Sequence, residues 1–255
     1  MAGYMKHRPN APSGFFPYEA ASLQWLDAAP GGAACAQVIA VDESSLELER
    51  LTAARPTRQA AKLFGRQLAH THDAGATAFG AAPEHWTGDG YFGPLSEPLP
   101  VSLEHYDHWG DFMSNSRLRP MIDTAVHRAD MDARERRVLE SVADRLAGGD
   151  FDDGDGPARI HGDLWSGNVM WTESGVVLID PAAHGGHRES DLAMMALFGL
   201  PHLETVVDAY QEVHPLVDGW EDRVELHQLF PLLVHAILFG GGYMQQTVAA
   251  ASRYA

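Results

Sequence analysis

A single cysteine, Cys35, stands in a chain of 255 residues, so no disulfide can form within it. That scarcity fits a reducing compartment. Basic residues are also few: Lys and Arg number 18 against 35 Asp and Glu, a formal net charge of -17. A surface so acidic repels phosphate backbones and anionic lipid, so neither a nucleic-acid partner nor a membrane-surface partner is expected. The opening MAGYMKHRPN holds no apolar core of a secretory signal. The longest apolar run, Leu229 to Phe239, contains His235 and is too short to span a bilayer. A cytoplasmic protein is expected. There is no GxSxG elbow, no Walker A sequence and no HExxH pattern, which disfavours a serine hydrolase, a P-loop enzyme and a zinc site.

What is present suffices for a packed protein. At 45% hydrophobic, the chain can bury a core in one large domain or in two lobes around a cleft. Gly3 to His7 reads as a short strand carrying Lys6, followed by a loop punctuated by proline and glycine as far as Pro17. Tyr18 to Leu26 reads as a helix with Glu19 in its first turn. Gln37 to Val41 and Ser45 to Leu51 read as a hairpin around Asp42-Glu43. A small lobe, residues 1–51, would end there. Pro56 opens a long helix over Thr57 to Ala74, stopped by Gly75. Thr77 to Pro100 reads as loop. Helices are expected at Ser102 to Met113, Leu118 to His127, Asp132 to Leu146, Asp191 to Phe198, Leu203 to His214, Leu226 to Phe239 and Tyr243 to Ser252. Residues 52–255 would form a larger, mostly helical lobe. The expected class is α+β, and the junction of two such lobes is a usual home for a small-molecule site.

The chemistry concentrates in Arg159 to Asp191, RIHGDLWSGNVMWTESGVVLIDPAAHGGHRESD. Asp163 is followed five residues later by Asn168, and the apolar strand Val176 to Ile179 delivers Asp180. Phosphoryl transfer needs a carboxylate to orient the attacking hydroxyl, oxygen ligands for a metal, and a cation on the nucleotide. Asp163 suits the first role, and Asn168 and Asp180 suit Mg2+, which prefers a few protein oxygens. An Asp and an Asn on one loop can also be simple turn formers. Their union with the strand, Asp180 and His187-Arg188-Glu189-Ser190-Asp191 argues for a site. His161 is expected to orient the loop and Asp191 to hold its backbone. Trp165 either walls an acceptor pocket or joins the core. Among the 14 histidines, His184 and His187 lie near Asp180 in sequence and are candidates for the substrate pocket.

HGDLWSGN, LIDPA, GHRESDLAM, Trp109 to Leu118, and ELHQLFPLLVHAILFGGGY together resemble the fructosamine kinase (ketosamine-3-kinase) family, relatives of aminoglycoside phosphotransferases and choline kinases. The resemblance implies a two-lobed, protein-kinase-like fold and ATP-dependent phosphorylation of a sugar hydroxyl of a ketosamine, free or protein-bound, with ATP and Mg2+ as cofactors. It assigns Asp163 as base, Asn168 and Asp180 as Mg2+ ligands, Lys6 as the strand lysine on the nucleotide phosphates and Glu19 as its helix partner. Glu49 to Leu51 would be the hinge whose backbone meets adenine, with Glu49 and Leu51 beside the nucleotide. Family members carry strands and a glycine-rich loop before the strand lysine. Only five residues precede Lys6 here, so the small lobe reads as N-terminally truncated: the start is placed too far downstream, the chain has been shortened, or the loop is truly lost, and loss of those strands would leave a sheet edge that invites homodimerisation. Two alternatives stay open: a kinase for another hydroxyl compound such as an aminoglycoside or choline, and a catalytically idle nucleotide- or sugar-binding protein.

Overall fold

Burial of one aromatic helix against a small sheet organises the N-terminal part of the molecule, a computed structural model that describes residues 3–129 and 131–255. Strand β1 (Tyr4–His7) precedes helix α1 (Phe15–Asp27), the short β2 (Ala34–Cys35), and the hairpin of β3 (Val38–Val41) and β4 (Ser45–Leu48). The sheet order is β1-β4-β3, all antiparallel, with Lys6 opposite Leu46. Helix α1 begins three residues earlier than its polar-apolar pattern indicated, at Phe15. Phe16, Tyr18, Leu23 and Leu26 are its buried face, and they outweigh the helix-breaking tendency of Pro17 in the first turn. Glu19 therefore lies beyond the first turn and is buried, so its role is a contact rather than a favourable charge on the helix dipole.

Helix α2 (Arg58–Asp73) starts where expected, with the Thr57 hydroxyl accepting the Ala60 N–H. The stretch read as loop contains a second hairpin, β5 (Gly90–Phe92) and β6 (Leu99–Val101). Its buried Phe92, Leu99 and Val101 point inward, and Pro100 sits on an exposed position of this two-stranded ribbon, where its missing N–H costs little. The helix expected from Ser102 starts only at Trp109. It runs as α3 (Trp109–Phe112), a π-helical segment Met113–Leu118, and α4 (Arg119–Arg128). Residues 102–108 form no helix, and within them Tyr106 pairs with Phe79 in a β-bridge. Helix α5 (Ala133–Ala147) opens with a capping box of Asp132 and Glu135.

The central region follows as β7 (Ala158–Ile160), β8 (Val169–Thr172), β9 (Gly175–Leu178) and β10 (His184–Gly186). β8 and β9 form a hairpin, and β2 joins β9 in parallel, Ala34 beside Val177. Helices α6 (Arg188–Phe198), α7 (Leu203–Gln211), α8 (Trp220–His227), α9 (Leu229–Phe239) and α10 (Tyr243–Ala251) complete the chain. The single helix expected over Leu226 to Phe239 is two helices. Pro231 has no N–H to return to the His227 carbonyl, so the helical ladder breaks and restarts at Leu229. No helix of the described residues is long and apolar enough to cross a membrane.

Two cores result. One lies within the helical C-terminal part, around Leu118, Ile122, Leu139, Leu226 and Leu233. The other joins Phe16, Leu26 and Leu46 to Phe64, Leu178 and Tyr210, so it crosses residue 51 and fixes the small sheet against the strand that carries the site.

Candidate active site

The strand β9 ends at Leu178, and the chain then turns sharply. Asp180 takes a left-handed φ of 54°, a conformation that Asp tolerates better than most residues and that is common where function dictates geometry. The turn brings its Oδ1 to 2.5 Å from Lys6 Nζ. Glu19 Oε1 holds the same ammonium at 2.5 Å. Burial alone would lower the Lys6 pKa. The carboxylates of Glu19 and Asp180 more than offset that and raise it, so the lysine is a fixed cation. Lys6 and Glu19 are nearly buried, whereas 46% of the Asp180 side chain is exposed.

The loop from His161 to Asn168 lies below. Asn168 begins the return of the chain into β8, and its Nδ2 donates to the Asp163 main-chain oxygen (2.7 Å), to Asp163 Oδ2 (3.2 Å) and to the Asp180 main-chain oxygen (3.4 Å). The amide nitrogen is thus committed to the loop, and Oδ1 points the other way. Asp163 is only partly exposed at the cleft. Burial pushes its carboxyl up to about 7; the charges of Asp180 and Asp191 act in the same direction, and the Asn168 hydrogen bond opposes them. Oxygens of Asp163, Asn168 and Asp180 without any nitrogen or sulfur donor form a set that suits a hard divalent cation.

Two residues fix the loop. His161 donates from Nε2 to the Ile179 carbonyl (2.9 Å) and accepts the Asp163 N–H at Nδ1 (3.2 Å). It is buried, and burial lowers its pKa, so it stays neutral. Asp191, on α6, accepts the His161 N–H (2.7 Å) and the Gly162 N–H (3.0 Å), one on each oxygen. Burial works to raise this carboxyl, but the hydrogen bonds from His72 and the loop hold it below the usual carboxylate range.

The cleft has two compartments. One, of about 350 Å³, is lined by Ala36, Leu48, Glu49, Leu51, Met170 and Ile179, with Lys6 and Asp180 at its inner end. Glu49 and Leu51 therefore face a largely apolar slot of the kind that admits a flat ring. The other, of about 410 Å³, also contains Lys6 and Asp180, together with Glu19, Asp163, Asn168 and Trp165. Lys6 and Asp180 stand where the compartments meet. Trp165 is 39% exposed and packs edge-on against Phe198. A side chain at Gly167 would meet the indole at 2.3 Å, so glycine is what allows the ring to lie there.

Residues that sequence reading did not assign to the site also line the second compartment, among them Tyr91, His235 and Phe239. Phe198, Phe239 and Tyr243 ring His235, whose Nδ1 donates to the Pro231 carbonyl at 2.7 Å. Only its place in an otherwise apolar helix marked it. His187 is placed elsewhere. It caps α6, is buried, and contacts Asp153 at 3.2 Å, so it does not line the cleft with Asp163. Proximity in sequence to Asp180 misled, because β10 turns the chain away from the cleft into the interior. His184 likewise is buried, with Nδ1 on the Ala182 carbonyl. His187, Glu189 and His227 could superficially hold a metal, their ligand atoms lying within 4.8 Å of one another. Arg223 already engages both Glu189 oxygens and contacts Asp153, which makes this a buried ion-pair lattice.

Comparison with known proteins finds relatives over nearly the whole chain. The family model described as fructosamine kinase matches residues 3–254. A relative from Enterococcus faecium, described as a ketoamine kinase, is 33% identical over 254 residues, covering 96% of this chain and 84% of its own. A crystal structure described as a fructosamine-3-kinase from Thermobifida fusca superposes with a TM-score of 0.89 at 46% identity, covering 98% of this chain and 84% of that one. The fold also resembles an aminoglycoside phosphotransferase in a ternary complex with AMP-PNP and hygromycin B, TM-score 0.55 at 20% identity, covering 95% of this chain and 83% of that one.

Proposed function

The chain belongs to the fructosamine kinase family, and from that premise we propose how its residues carry out phosphoryl transfer to the 3-hydroxyl of a ketosamine sugar. The observation that carries the reading is that Lys6 and Asp180, shared by both compartments, line the second one together with Asp163 and Asn168. ATP places its adenine in the slot beside Glu49 and Leu51, and its phosphates reach Lys6. Asn168 Oδ1 and the Asp180 carboxylate would hold Mg2+, which supplies neutralisation of phosphate charge. Asp163 orients the acceptor hydroxyl and takes its proton as the oxygen attacks the γ-phosphorus. Fixing both partners in the cleft removes most of the entropic barrier to an in-line displacement. Trp165 offers an apolar face to the sugar or amine. The site opens to solvent past Trp165 and Phe239, which supports an acceptor that is free or carried on a protein side chain.

The alternatives fare less well. The fructosamine kinase match runs through nearly the whole chain, whereas likeness to aminoglycoside phosphotransferases extends to fold alone. An idle protein would have no need of the intact acid and amide set. On the outer edge of β1 no strand pairs among the described residues, and Tyr4, Met5, Ile39 and Val41 are exposed. That surface supports self-association, which sedimentation velocity tests.

The functional test offers fructosyl-lysine, ribulosyl-lysine, an aminoglycoside and choline with ATP and Mg2+, and detects the phosphorylated product by mass spectrometry. A phosphorylated ketosamine is expected. Product from the aminoglycoside or choline alone would overturn the reading.

A further inference from the structure

Helix α2 carries a histidine, His72, that is fully buried far from any solvent and belongs to none of the roles above. Its two ring nitrogens are both engaged. Nδ1 lies 2.8 Å from the Tyr210 hydroxyl, and Nε2 lies 3.2 Å from Asp191 Oδ2. Asp191 is held below the usual carboxylate range and can only accept, so Nε2 bears the proton and donates. Nδ1 is then a lone pair, which the Tyr210 O–H must fill. The Tyr210 oxygen in turn accepts from Arg188 Nη1 at 2.9 Å, and Arg188 is paired with Asp73 and Asp155.

Every donor and acceptor in this chain is thereby assigned. Arg188 donates to Tyr210, Tyr210 to His72, and His72 to Asp191. Asp191 receives the His161 and Gly162 N–H groups of the loop that carries Asp163. The path is built on a close helix contact. At Gly65, α2 approaches α7 so nearly that a Cβ would stand 2.1 Å from the Val206 carbonyl. That approach sets His72 within reach of Tyr210.

We propose that His72, in the tautomer imposed by Tyr210, is a positioning residue for phosphoryl transfer, aiming Asp191 and through it the main chain that places Asp163. A histidine serves here because one ring both donates and accepts at fixed directions. Asp191 has two oxygens and three donors to satisfy, and the His72 bond decides how its carboxylate is rotated. Without it the carboxylate can turn, and the loop shifts by a fraction of an ångström. A small misplacement of a base costs turnover far more than it costs binding. The idea rests on the proposed role of Asp163 as base.

The test is steady-state kinetics with ATP and a fructosyl-amine on His72→Phe, His72→Gln and Tyr210→Phe, with folded fraction checked by circular dichroism and thermal melting. Tyr210→Phe removes one hydroxyl and serves if His72→Phe does not fold. Expected is a drop in kcat of about 10- to 100-fold for His72→Phe, with KM for both substrates within about 2-fold of wild type. Tyr210→Phe should show the same split with a smaller loss. His72→Gln, whose amide can still donate and accept, should recover most of the rate. Wild-type kcat in folded His72→Phe or Tyr210→Phe overturns the proposal, as does a loss in His72→Gln equal to that in His72→Phe. Asp163→Asn is run alongside: if it turns over normally, the base assignment itself has failed, whatever the His72 variants do.

Discussion

The two sides of the cleft are built by different means. The loop that carries Asp163 is held through its main chain, by the buried Asp191 carboxylate, which His72 also contacts. The side proposed to take the nucleotide is held through side chains: Lys6 sits on strand β1, whose outer edge has no partner among the described residues, and is fixed by Glu19 and Asp180. The difference teaches where stability and activity are coupled. Around Asp191 they are one thing, because the groups that hold the loop also hold α2, α6 and α7 together. Around Asp180 they separate, because a half-exposed carboxylate contributes little to folding.

The sharpest break in that comparison is Asp180→Ala. Turnover should fall by roughly 10²- to 10⁴-fold, as expected when a ligand of the ion that neutralises the phosphates is lost, while the melting temperature stays near wild type. A cooperative loss of structure would show that both sides are braced alike. Asp191→Ala should do the reverse of a clean activity mutant. Removing a buried acceptor of three hydrogen bonds should cost about 3–5 kcal/mol in urea denaturation, and residual folded protein should be slow. Lys6→Met comes next, with kcat/KM lower by about 10²-fold and a raised KM for ATP. It leaves Glu19 buried without its partner, so Lys6→Met combined with Glu19→Gln should melt higher than Lys6→Met alone.

Acid should act on the braced side first. Burial keeps His72, His161, His184 and His227 below the ordinary histidine pKa, so the unfolded chain binds more protons than the folded one below about pH 6.5. Asp191, Asp153 and Glu189 are also held low; burial opposes this, and hydrogen bonds from His72, His187 and His227, with the Arg223 guanidinium beside Asp153 and Glu189, outweigh it. Their contribution is complete above about pH 5 and is lost as pH falls further. Asp163, pushed up to about 7, works in the opposite direction between about pH 4 and 7, but four histidines outweigh one carboxyl, so thermal melting should be flat between about pH 7 and 9 and decline in two overlapping stages below about pH 6.5. A melting temperature that rises on acidification would contradict the assigned protonation states.

Much of the site was readable because its chemistry lies close in sequence. Asp163, Asn168 and Asp180 sit on one loop and the strand that follows, so spacing alone suggested that they face one another. Lys6 and Glu19 became legible only through resemblance, because their meeting depends on how β1 lies over α1. His187 shows the limit: near in sequence to Asp180, it faces the other way because β10 intervenes. His72 and Tyr210 were invisible for a related reason. Nothing in a sequence reports that Gly65 lets two helices close on each other, and that approach is what gives a core histidine its partners. Helix limits failed where local pattern met tertiary demand, at the Tyr106 bridge and at Pro231.

The most direct measurement of the central claim is single-turnover transfer from γ-labelled ATP to fructosyl-lysine, comparing wild type with Asp163→Asn at equal folded concentration. Label should appear on the sugar 3-hydroxyl with wild type, and with Asp163→Asn at a rate lower by roughly 10²- to 10⁴-fold, while nucleotide binding is retained. Transfer at the wild-type rate by Asp163→Asn would contradict it.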